Sequence, residues 1–466
     1  MATQTADIAP PAAAETYSRG YRAWMLVMLM AINALNLADR QGMAAIAPAL
    51  KADLGLSDTQ LGLIQGFGFA ILYTLLGLPI ARFAERSSRV RIIAGAVTVF
   101  AVFVAGCSQA RSFVQFLFCR VGVGIGDAGF GPPVASLLGD YYPARRRASA
   151  MTIVWLGAPI GAMLGSVGGG WVAQNIDWRA WCIGLAVPAI IVSLLGFFTL
   201  RDPPRGMSDP VGTMPRSLPS IRATMRFLLA KKSMRHVVVG CGLAAMGMNG
   251  IGQFFARYVV AVFHVGMAQA GQILGLIVVI GMTLGLAIGG FGVDWAQKYD
   301  RRWSVWGPAV GLLLAAPLFL IGINQPVMGI ALPIIALGHI ALFVYYTPTL
   351  ALAQNMVGSS MRASSSFVIA FVLGLVGLGL GPTVIGFLSD VFANRAFGLG
   401  DFRTACPGGI APAGSVATLA AACRSASASG ITAAISTTSL LFVGASINYF
   451  LAARYVRQDL DTHYTE

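Results

Sequence analysis

Arg120 and Asp127 lie in the middle of the apolar stretch Phe116–Pro143, which reads FCRVGVGIGDAGFGPP there. Arg120 and Asp127 are about two helical turns apart, so in an α-helix they share one face. A charge facing lipid would cost about 2.5–3.5 kcal/mol, and we therefore expect both side chains to face the protein interior. An ionisable pair at this depth predicts a functional site.

A second pair of charges, Asp39 and Arg40, follows the apolar residues Trp24–Leu37 and precedes another apolar segment. We predict that Asp39, Arg120 and Asp127 form one cluster, with Arg40 beside it. Arg120 and Asp127 are too far apart along the helix for direct contact. We therefore expect Asp39 or water to lie between them.

Such a cluster has the chemistry of proton coupling. Opening a cavity changes the hydration of a carboxylate and its distance from arginines, and both change its affinity for protons. Protonation would free Arg120, whose planar guanidinium can hold a phosphate through two hydrogen bonds. The alternative is structural, with Asp39 in a fixed ion pair with Arg40 or Arg120 and Arg120 serving as a strut between helices.

The composition is that of a polytopic membrane protein. Of the 466 residues 56% are hydrophobic and only 11% are charged, which argues against water-soluble catalysis. The four histidines are scattered and no Walker sequence is present, so neither a membrane-embedded enzyme or receptor nor ATP drive is favoured. We expect a protein that is not an enzyme and needs no cofactor or metal.

Apolar runs of membrane-spanning length define the predicted organisation. Twelve spans are predicted, at 22–49, 58–82, 90–109, 113–139, 147–174, 179–200, 235–262, 268–293, 304–324, 326–354, 363–391 and 426–453. The predicted units are a disordered tail (1–20), a six-helix bundle (21–200), a cytoplasmic linker with an interfacial helix (201–234), a second six-helix bundle (235–455) and a C-terminal tail (456–466). The fold class is an all-α membrane protein.

Lysine and arginine placement predicts the orientation. With a cytoplasmic N-terminus, 23 of the 32 Lys and Arg residues fall on the cytoplasmic side and seven on the other. This asymmetry follows the positive-inside rule and puts both termini in the cytoplasm. It also explains the net charge of +14 without any nucleic-acid partner.

Short matches at nearly constant offset relate the two halves of the chain. Leu61-Gly62 corresponds to Ala270-Gly271, and Arg147-Ala148-Ser149-Ala150 corresponds to Arg362-Ala363-Ser364-Ser365. They indicate a duplicated six-helix unit. Two pseudo-symmetric bundles around a central path are the architecture of an alternating-access transporter.

The segment between spans 2 and 3 reads Ala81-Arg82-Phe83-Ala84-Glu85-Arg86-Ser87-Ser88-Arg89-Val90 and resembles the charged signature of the major facilitator superfamily. Ala81 and Ser88 replace its glycines, and Glu85 replaces its aspartate. We expect gating residues at the cytoplasmic face; as an alternative, the arginines belong to ordinary basic loops. The predicted gating residues are Glu85, Arg86, Arg89, Asp294, Arg145 and Arg147.

Two further segments resemble the Spinster family within that superfamily. They are Arg120-x-x-x-Gly124-x-Gly126-Asp127-Ala128 and Asn36-Leu37-Ala38-Asp39-Arg40. Asp127 stands where the family has glutamate. The resemblance implies the major facilitator fold and a monomeric transporter of lysophospholipids or sphingoid phosphates in a bacterial inner membrane, driven by the proton gradient.

The spans of the second half contain few polar residues. We predict that Arg40 and Arg120 bind the charged end of an amphiphilic lipid and that Asn249, Gln253, Tyr345 and Tyr346 complete the binding site. An exporter or importer of drugs or organic anions within the same superfamily remains the alternative. Two further residues stay open: Arg257 could meet a head group or snorkel at the interface, and His339 could carry protons or bond between helices.

Cys406 and Cys423 enclose a loop rich in glycine, proline and alanine on the predicted outer side. A disulfide between them is possible because that side is oxidising. The other four cysteines lie singly in apolar runs and are expected to be ordinary buried residues.

Overall fold

The computed structural model describes residues 17–84, 86–142, 144–204, 221–357, 362–412 and 414–461. In these residues the regular structure is helical, and twelve helices are long and apolar enough to cross a membrane. The spans are α1 (Arg19–Leu54), α2 (Asp58–Gly77), α3 (Arg89–Ser108), α4 (Phe113–Tyr141), α5 (Ser149–Asn175), α6 (Trp178–Thr199), α7 (Lys232–Phe263), α8 (Met267–Gln297), α9 (Trp303–Ile323), α10 (Met328–Asn355), α11 (Ser365–Phe397) and α12 (Ala417–Ala452).

The predicted twelve-span, all-helical fold is confirmed, with most boundaries within a few residues of those expected. The largest difference is at α12, which begins at Ala417 rather than at 426. The added residues include Thr418, Arg424 and Ser425, which lower the local hydropathy. Alanine nevertheless favours the helical conformation, so the helix extends beyond its apolar part.

The helix packing repeats in the two halves of the molecule. In the first half (α1–α6), α1 packs on α5, α2 on α4 and α3 on α6, and in the second half (α7–α12) α7 packs on α11, α8 on α10 and α9 on α12. Each pairing recurs six helices later, as a duplicated unit requires. The halves meet along α1 and α7, α2 and α11, and α5 and α8.

Small residues permit the close approach of the two halves. A Cβ added to Gly62 of α2 would lie 2.3 Å from the Pro382 carbonyl oxygen of α11, and one added to Gly271 of α8 would lie 2.1 Å from the Ser166 carbonyl oxygen of α5. Neither position can accept a larger residue without separation of the helices. This is the small-residue packing typical of membrane helices.

Both ends of the described chain lie on one side of the bundle, here called the terminal side; the other is the opposite side. Residues 1–16 and 205–220 lie outside the described chain, so the predicted tail and linker are only partly visible. The predicted linker helix is present as Ile221–Ala230, and a short helix Val456–Asp461 follows α12. The predicted domain boundaries stay predictions.

Candidate functional site

Two glycines allow α4 to lie against its neighbours at the depth of the charged residues. A Cβ on Gly124 would be 2.3 Å from the Phe69 carbonyl oxygen of α2, and a Cβ on Gly126 would be 2.5 Å from the Phe100 amide nitrogen of α3. The Arg-x-x-x-Gly-x-Gly spacing therefore has a packing reason. It brings the helix that carries Arg120 and Asp127 close to α2 and α3.

Two ion pairs join α1 to α4 inside the first half. Arg120 donates to Asp39 at 2.7 Å, with side chains 2% and 5% exposed, and Arg40 pairs with Asp127. The predicted cluster is therefore present, but its pairing differs from the expectation. Arg120 and Asp127 each have their own partner in α1, because the consecutive residues Asp39 and Arg40 reach different levels of α4.

Aromatic rings of α2 cover the two arginines. The Arg40 guanidinium carbon lies 4.7 Å from the centre of the Phe69 ring and 4.8 Å from that of Tyr73, and Arg120 lies 5.3 Å from Phe69. Such contacts attract a cation to the ring face. Arg40 is the more accessible arginine, with 21% of its side chain exposed, so it is the one able to meet a ligand.

Replacing Gly124 by alanine is expected to lower stability and transport together, since the added methyl group would push α4 away from α2. Overpacking of this kind costs about 1–3 kcal/mol. The matched control is Gly139→Ala in the same helix, where an added Cβ meets nothing within 4 Å. Thermal unfolding and initial transport rates of the two variants check this; equal behaviour would contradict the packing role of Gly124.

The second half contributes a different set of side chains to the predicted binding site. Tyr346 is half-buried and close enough to Tyr73 and Arg40 for electrostatic interaction across the halves. Gln253 is 8% exposed and its Oε1 atom has no hydrogen-bond partner among the described residues. Asn249 is half-buried and donates to the Ala245 carbonyl oxygen of its own helix at 2.9 Å.

The structure bears on two further residues of the second half, Tyr345 and His339. Tyr345 has no exposed surface and lies in the core of the second half, so in this conformation it does not fit the predicted binding role. Its neighbour Tyr346 points elsewhere because consecutive residues of a helix point about 100° apart. His339 is 3% exposed, packs against the Phe255 and Phe319 rings of neighbouring helices and hydrogen-bonds to the Ile335 carbonyl oxygen of its own helix at 3.3 Å. It therefore contacts other helices by packing and not through the hydrogen bond between helices that was the alternative.

The predicted gating residues whose side chains the structure describes, Arg86, Arg89 and Asp294, are dispersed on the terminal side. Arg89 is buried and pairs with Asp140 and Asp202, so its partners belong to the first half and the start of the linker. Arg86 and Asp294 are exposed and form no ion pair with another described residue. Glu85 and the side chains of Arg145 and Arg147 lie outside the described part of the chain, and their gating role stays a prediction.

A charged network on the opposite side was not predicted. Asp58, at the start of α2, is fully buried, pairs with Arg257 of α7 and contacts Lys51 of α1 at 2.6 Å. Asp390 of α11 accepts hydrogen bonds from the backbone amides of Asp58 and Thr59, both at 2.9 Å. We call Lys51, Asp58, Arg257, Asp390 and Arg403 the opposite-side network.

This network ties the two halves together. Asp58 and Lys51 belong to the first half, whereas Arg257, Asp390 and Arg403 belong to the second. Asp390 also lies at the N-terminus of α2, where a negative charge is favoured by the helix dipole. Arg257 therefore neither snorkels nor faces a free surface in this structure, because it is 5% exposed and paired.

The disulfide between Cys406 and Cys423, which the sequence left open, is present. It closes the loop 407–422, in which Gly409 lies beside the Lys51 side chain. Three residues before Cys406, Arg403 contacts Asp390 at 3.0 Å. The disulfide thus holds a loop of the second half over the opposite-side network. The other described cysteines, 107, 119, 182 and 241, are free.

Replacing both Cys406 and Cys423 by serine is expected to lower the free energy of unfolding by about 3 kcal/mol, because the cross-link restricts the unfolded chain over a loop of this size. Thermal unfolding with and without reductant checks this. Cys241→Ser, at a buried free cysteine, is the control for losing a thiol. If reductant also destabilises the serine double variant, its effect on the unmodified protein does not come from breaking the disulfide.

Among the described residues, no group of three or more histidine, cysteine or acidic side chains could hold a metal ion. The ion pairs of the site have a chemistry of their own: a carboxylate can take up a proton, and the arginine that it releases can bind an anion. These properties suit coupled movement of a proton and a charged solute.

Comparison with known proteins agrees with the geometry of the helices. The family model described as "Major Facilitator Superfamily" matches residues 29–382. A bacterial homologue of the human lysosomal transporter Spinster, solved in an inward-facing and unoccupied conformation, superposes with a TM-score of 0.87 at 30% identity, covering 95% of this chain and 99% of that one. The chain belongs to the Spinster family of the major facilitator superfamily.

Two curated relatives extend this comparison. An "MFS-type efflux pump" of Mycolicibacterium smegmatis is 27% identical over 370 residues, which cover 79% of this chain and 85% of that protein. The "Probable sphingolipid transporter spinster homolog 3" of Arabidopsis thaliana is 28% identical over 191 residues, covering 37% of this chain and 36% of the relative. This Spinster family member is thus a multi-pass membrane transporter and not an enzyme.

Proposed function

We propose that this Spinster family member moves an amphiphilic lipid, of the lysophospholipid or sphingoid-phosphate type, by alternating access coupled to the proton gradient. The observation that carries the proposal is the pair of ion pairs between α1 and α4, Asp39 with Arg120 and Arg40 with Asp127. Burying charges at membrane depth costs free energy, so four of them in one place indicate a functional site.

The coupling rests on competition for the arginines. With Asp127 ionised, Arg40 is held by that carboxylate and by the rings of Phe69 and Tyr73. Protonation of Asp127 removes the charge that holds Arg40, and the guanidinium becomes available to a phosphate or carboxylate of the solute. Asp39 and Arg120 form a second, more deeply buried pair of the same type.

An amphiphilic solute fits the asymmetry between the halves. The first half supplies Arg40 at the edge of the site, and the second half supplies mainly aromatic and amide groups, among them Tyr346 and Gln253. A charged head group would bind to the first half while an acyl chain lies against the second. The sphingolipid transporter among the relatives supports this class of solute.

We further propose that the terminal side faces the cytoplasm of a bacterial inner membrane, as the distribution of lysine and arginine indicates. In that orientation the opposite-side network would close the outer face, as an inward-facing state requires. A single copy contains every residue that this scheme uses, so we expect a monomer. The gating residues would act at the inner face. They are Glu85, Arg86, Arg89, Asp294, Arg145 and Arg147.

Flux into proteoliposomes tests the function. The purified protein is expected to move a fluorescent lysophospholipid or a sphingoid phosphate faster with an imposed pH gradient than without one, and a protonophore should remove the difference. Empty liposomes are the control for leakage. Liposomes with the Gly124→Ala variant, whose transport we expect to be slower, show that the flux depends on the protein. Equal flux with and without the gradient would exclude proton coupling.

The second candidate is export of a drug or an organic anion, which the M. smegmatis efflux pump favours. Arg40 would bind an organic anion as readily as a lipid phosphate. The same liposomes distinguish the candidates when lipids and soluble solutes compete. This candidate is supported over the lipid if a soluble drug or anion is transported, lipids do not inhibit that transport, and the lipids themselves do not move.

A further inference from the structure

An apolar groove runs along the lipid-facing surface of the second half, between α8, α9 and α10. Its volume is about 590 Å³. Gly292 leaves the groove open, since a Cβ there would meet only the Ile288 side chain, at 3.8 Å. Gly311 brings α9 against α10 at the floor, where an added Cβ would lie 2.7 Å from the Ala341 carbonyl oxygen.

The groove begins at the level of the membrane interface and extends into the hydrocarbon. Trp295 and Trp303 line its end on the terminal side, and Leu318 lies at the other end. From Trp303 to Leu318 the rise of a helix is about 22 Å. Tryptophan marks the interface, so the groove is long enough for an acyl chain of one leaflet, whose hydrocarbon depth is about 15 Å.

Basic residues lie at the interfacial end of the groove. Lys298, Arg301 and Arg302 fall in the short connection between Ala296 and Trp303, which both line the groove. Asp300 lies among them, but it contacts the Arg457 guanidinium at 2.6 Å and so is balanced by a further positive charge. Basic pockets between membrane helices bind anionic lipid head groups.

The side chain of Arg302 is placed for such a ligand. Its guanidinium carbon lies 5.8 Å from the centre of the Trp306 ring, which holds it near the start of α9. Its Nε atom is buried, while the residue as a whole is half-buried. A phosphate would therefore meet the exposed part of the side chain.

We propose that the groove binds one anionic phospholipid of the surrounding leaflet, with an acyl chain between α8, α9 and α10 and the phosphate on Lys298, Arg301 and Arg302. The site is on the outside of the second half, away from the ion pairs of α1 and α4. The bound lipid is therefore separate from the transported solute, and the proposal does not depend on what that solute is.

Quenching of tryptophan fluorescence tests the site. The full-length protein in detergent is titrated with phosphatidylglycerol or phosphatidylcholine carrying the same brominated acyl chains. Phosphatidylglycerol is expected to quench at lower concentration, and Trp295→Phe should reduce the quenched fraction. Glycerol phosphate, which has the head-group charge but no acyl chain, should not compete.

Two sets of variants separate the head group from the chain. Arg301→Gln with Arg302→Gln should weaken the preference for phosphatidylglycerol about 30-fold, because each basic residue near an anionic lipid contributes roughly a factor of five. Arg395→Gln with Arg424→Gln removes two charges on the opposite side as the matched control. Gly292→Leu should block both lipids, whereas Gly184→Leu, which also occupies open space, should not.

The proposal is overturned if the two lipids quench equally, since that indicates ordinary lipid contact without a site. It is also overturned if both pairs of arginine variants behave alike, or if glycerol phosphate competes as well as the lipid. Thermal unfolding of each variant in detergent shows whether it is folded. A folded Gly292→Leu protein that still prefers phosphatidylglycerol would place the lipid elsewhere.

Discussion

Asp39→Asn is expected to abolish transport driven by a pH gradient while leaving exchange of solute across the liposome membrane partly intact. Asparagine preserves the size of the side chain and can accept a hydrogen bond, but it has no proton to gain or lose in the working range of pH. If Asp39 carries the coupled proton, accumulation against a concentration gradient must fail. Solute binding and the movement of the halves do not require that proton.

The measurement compares uphill accumulation with counterflow in the same proteoliposomes. Asp53→Asn is the control, because it makes the same substitution in the same helix at a carboxylate whose side chain is 43% exposed and paired with Arg179. That variant should keep both activities. Unchanged uphill transport by Asp39→Asn would remove this residue from the proton path.

A structural role for Asp39 predicts a different result. Removing one partner of a buried ion pair costs about 3–5 kcal/mol, since the remaining arginine is left uncompensated. The double variant Asp39→Asn with Arg120→Gln removes both charges and should recover part of that stability. If it also recovers uphill transport, the pair is a structural contact; if stability returns without coupling, the carboxylate carries the proton.

The spans and the α1–α4 contact could be predicted because each depends on local features of the sequence. A helix must be about 20 apolar residues long to cross the hydrocarbon, and this length is visible in the hydropathy. Charges inside such a run must turn inward. Asp39 and Arg120 therefore had to find partners within the first half, although the sequence did not determine which carboxylate meets which arginine.

The opposite-side network could not be predicted in the same way. Lys51, Asp58 and Asp390 lie near the ends of apolar runs, where charged residues ordinarily reach water. Their burial results from the meeting of the two halves, in contacts between residues as far apart as Asp58 and Asp390. The only feature of the sequence that indicated this network was a carboxylate beside an apolar run, and many exposed carboxylates have the same position.

The difference between Tyr345 and Tyr346 has a similar cause. Consecutive residues of a helix point about 100° apart, so at most one of the two can face a given surface. The packing of α10 against its neighbours decides which one, and it buries Tyr345 completely. Helical periodicity alone does not show how α10 is rotated about its axis, and the sequence-based site therefore included a residue that lies in the core.

Asp58→Asn is expected to shift the protein toward a state that is open on the opposite side. Asp58 compensates two buried cations, Lys51 and Arg257, and it receives a hydrogen bond from Ser389 at 2.7 Å. Without its charge the two cations repel each other in a buried site, and opening relieves this by admitting water. A cost of about 3–5 kcal/mol to the closed state changes the equilibrium between states more than a hundredfold.

The distance between spin labels at Gln109 and Val327, one in each half on the opposite side, reports this shift. Labels attached through an unnatural amino acid leave the native cysteines and the disulfide intact. Asp177→Asn is the control, since Asp177 is on the same side but 47% exposed. Arg257→Gln in addition to Asp58→Asn should reverse part of the opening, because it removes one of the uncompensated cations. If Asp58→Asn leaves the distance distribution as in the unmodified protein, the opposite-side network does not hold the halves closed, and contacts such as those of Gly62 and Gly271 must account for the closed state.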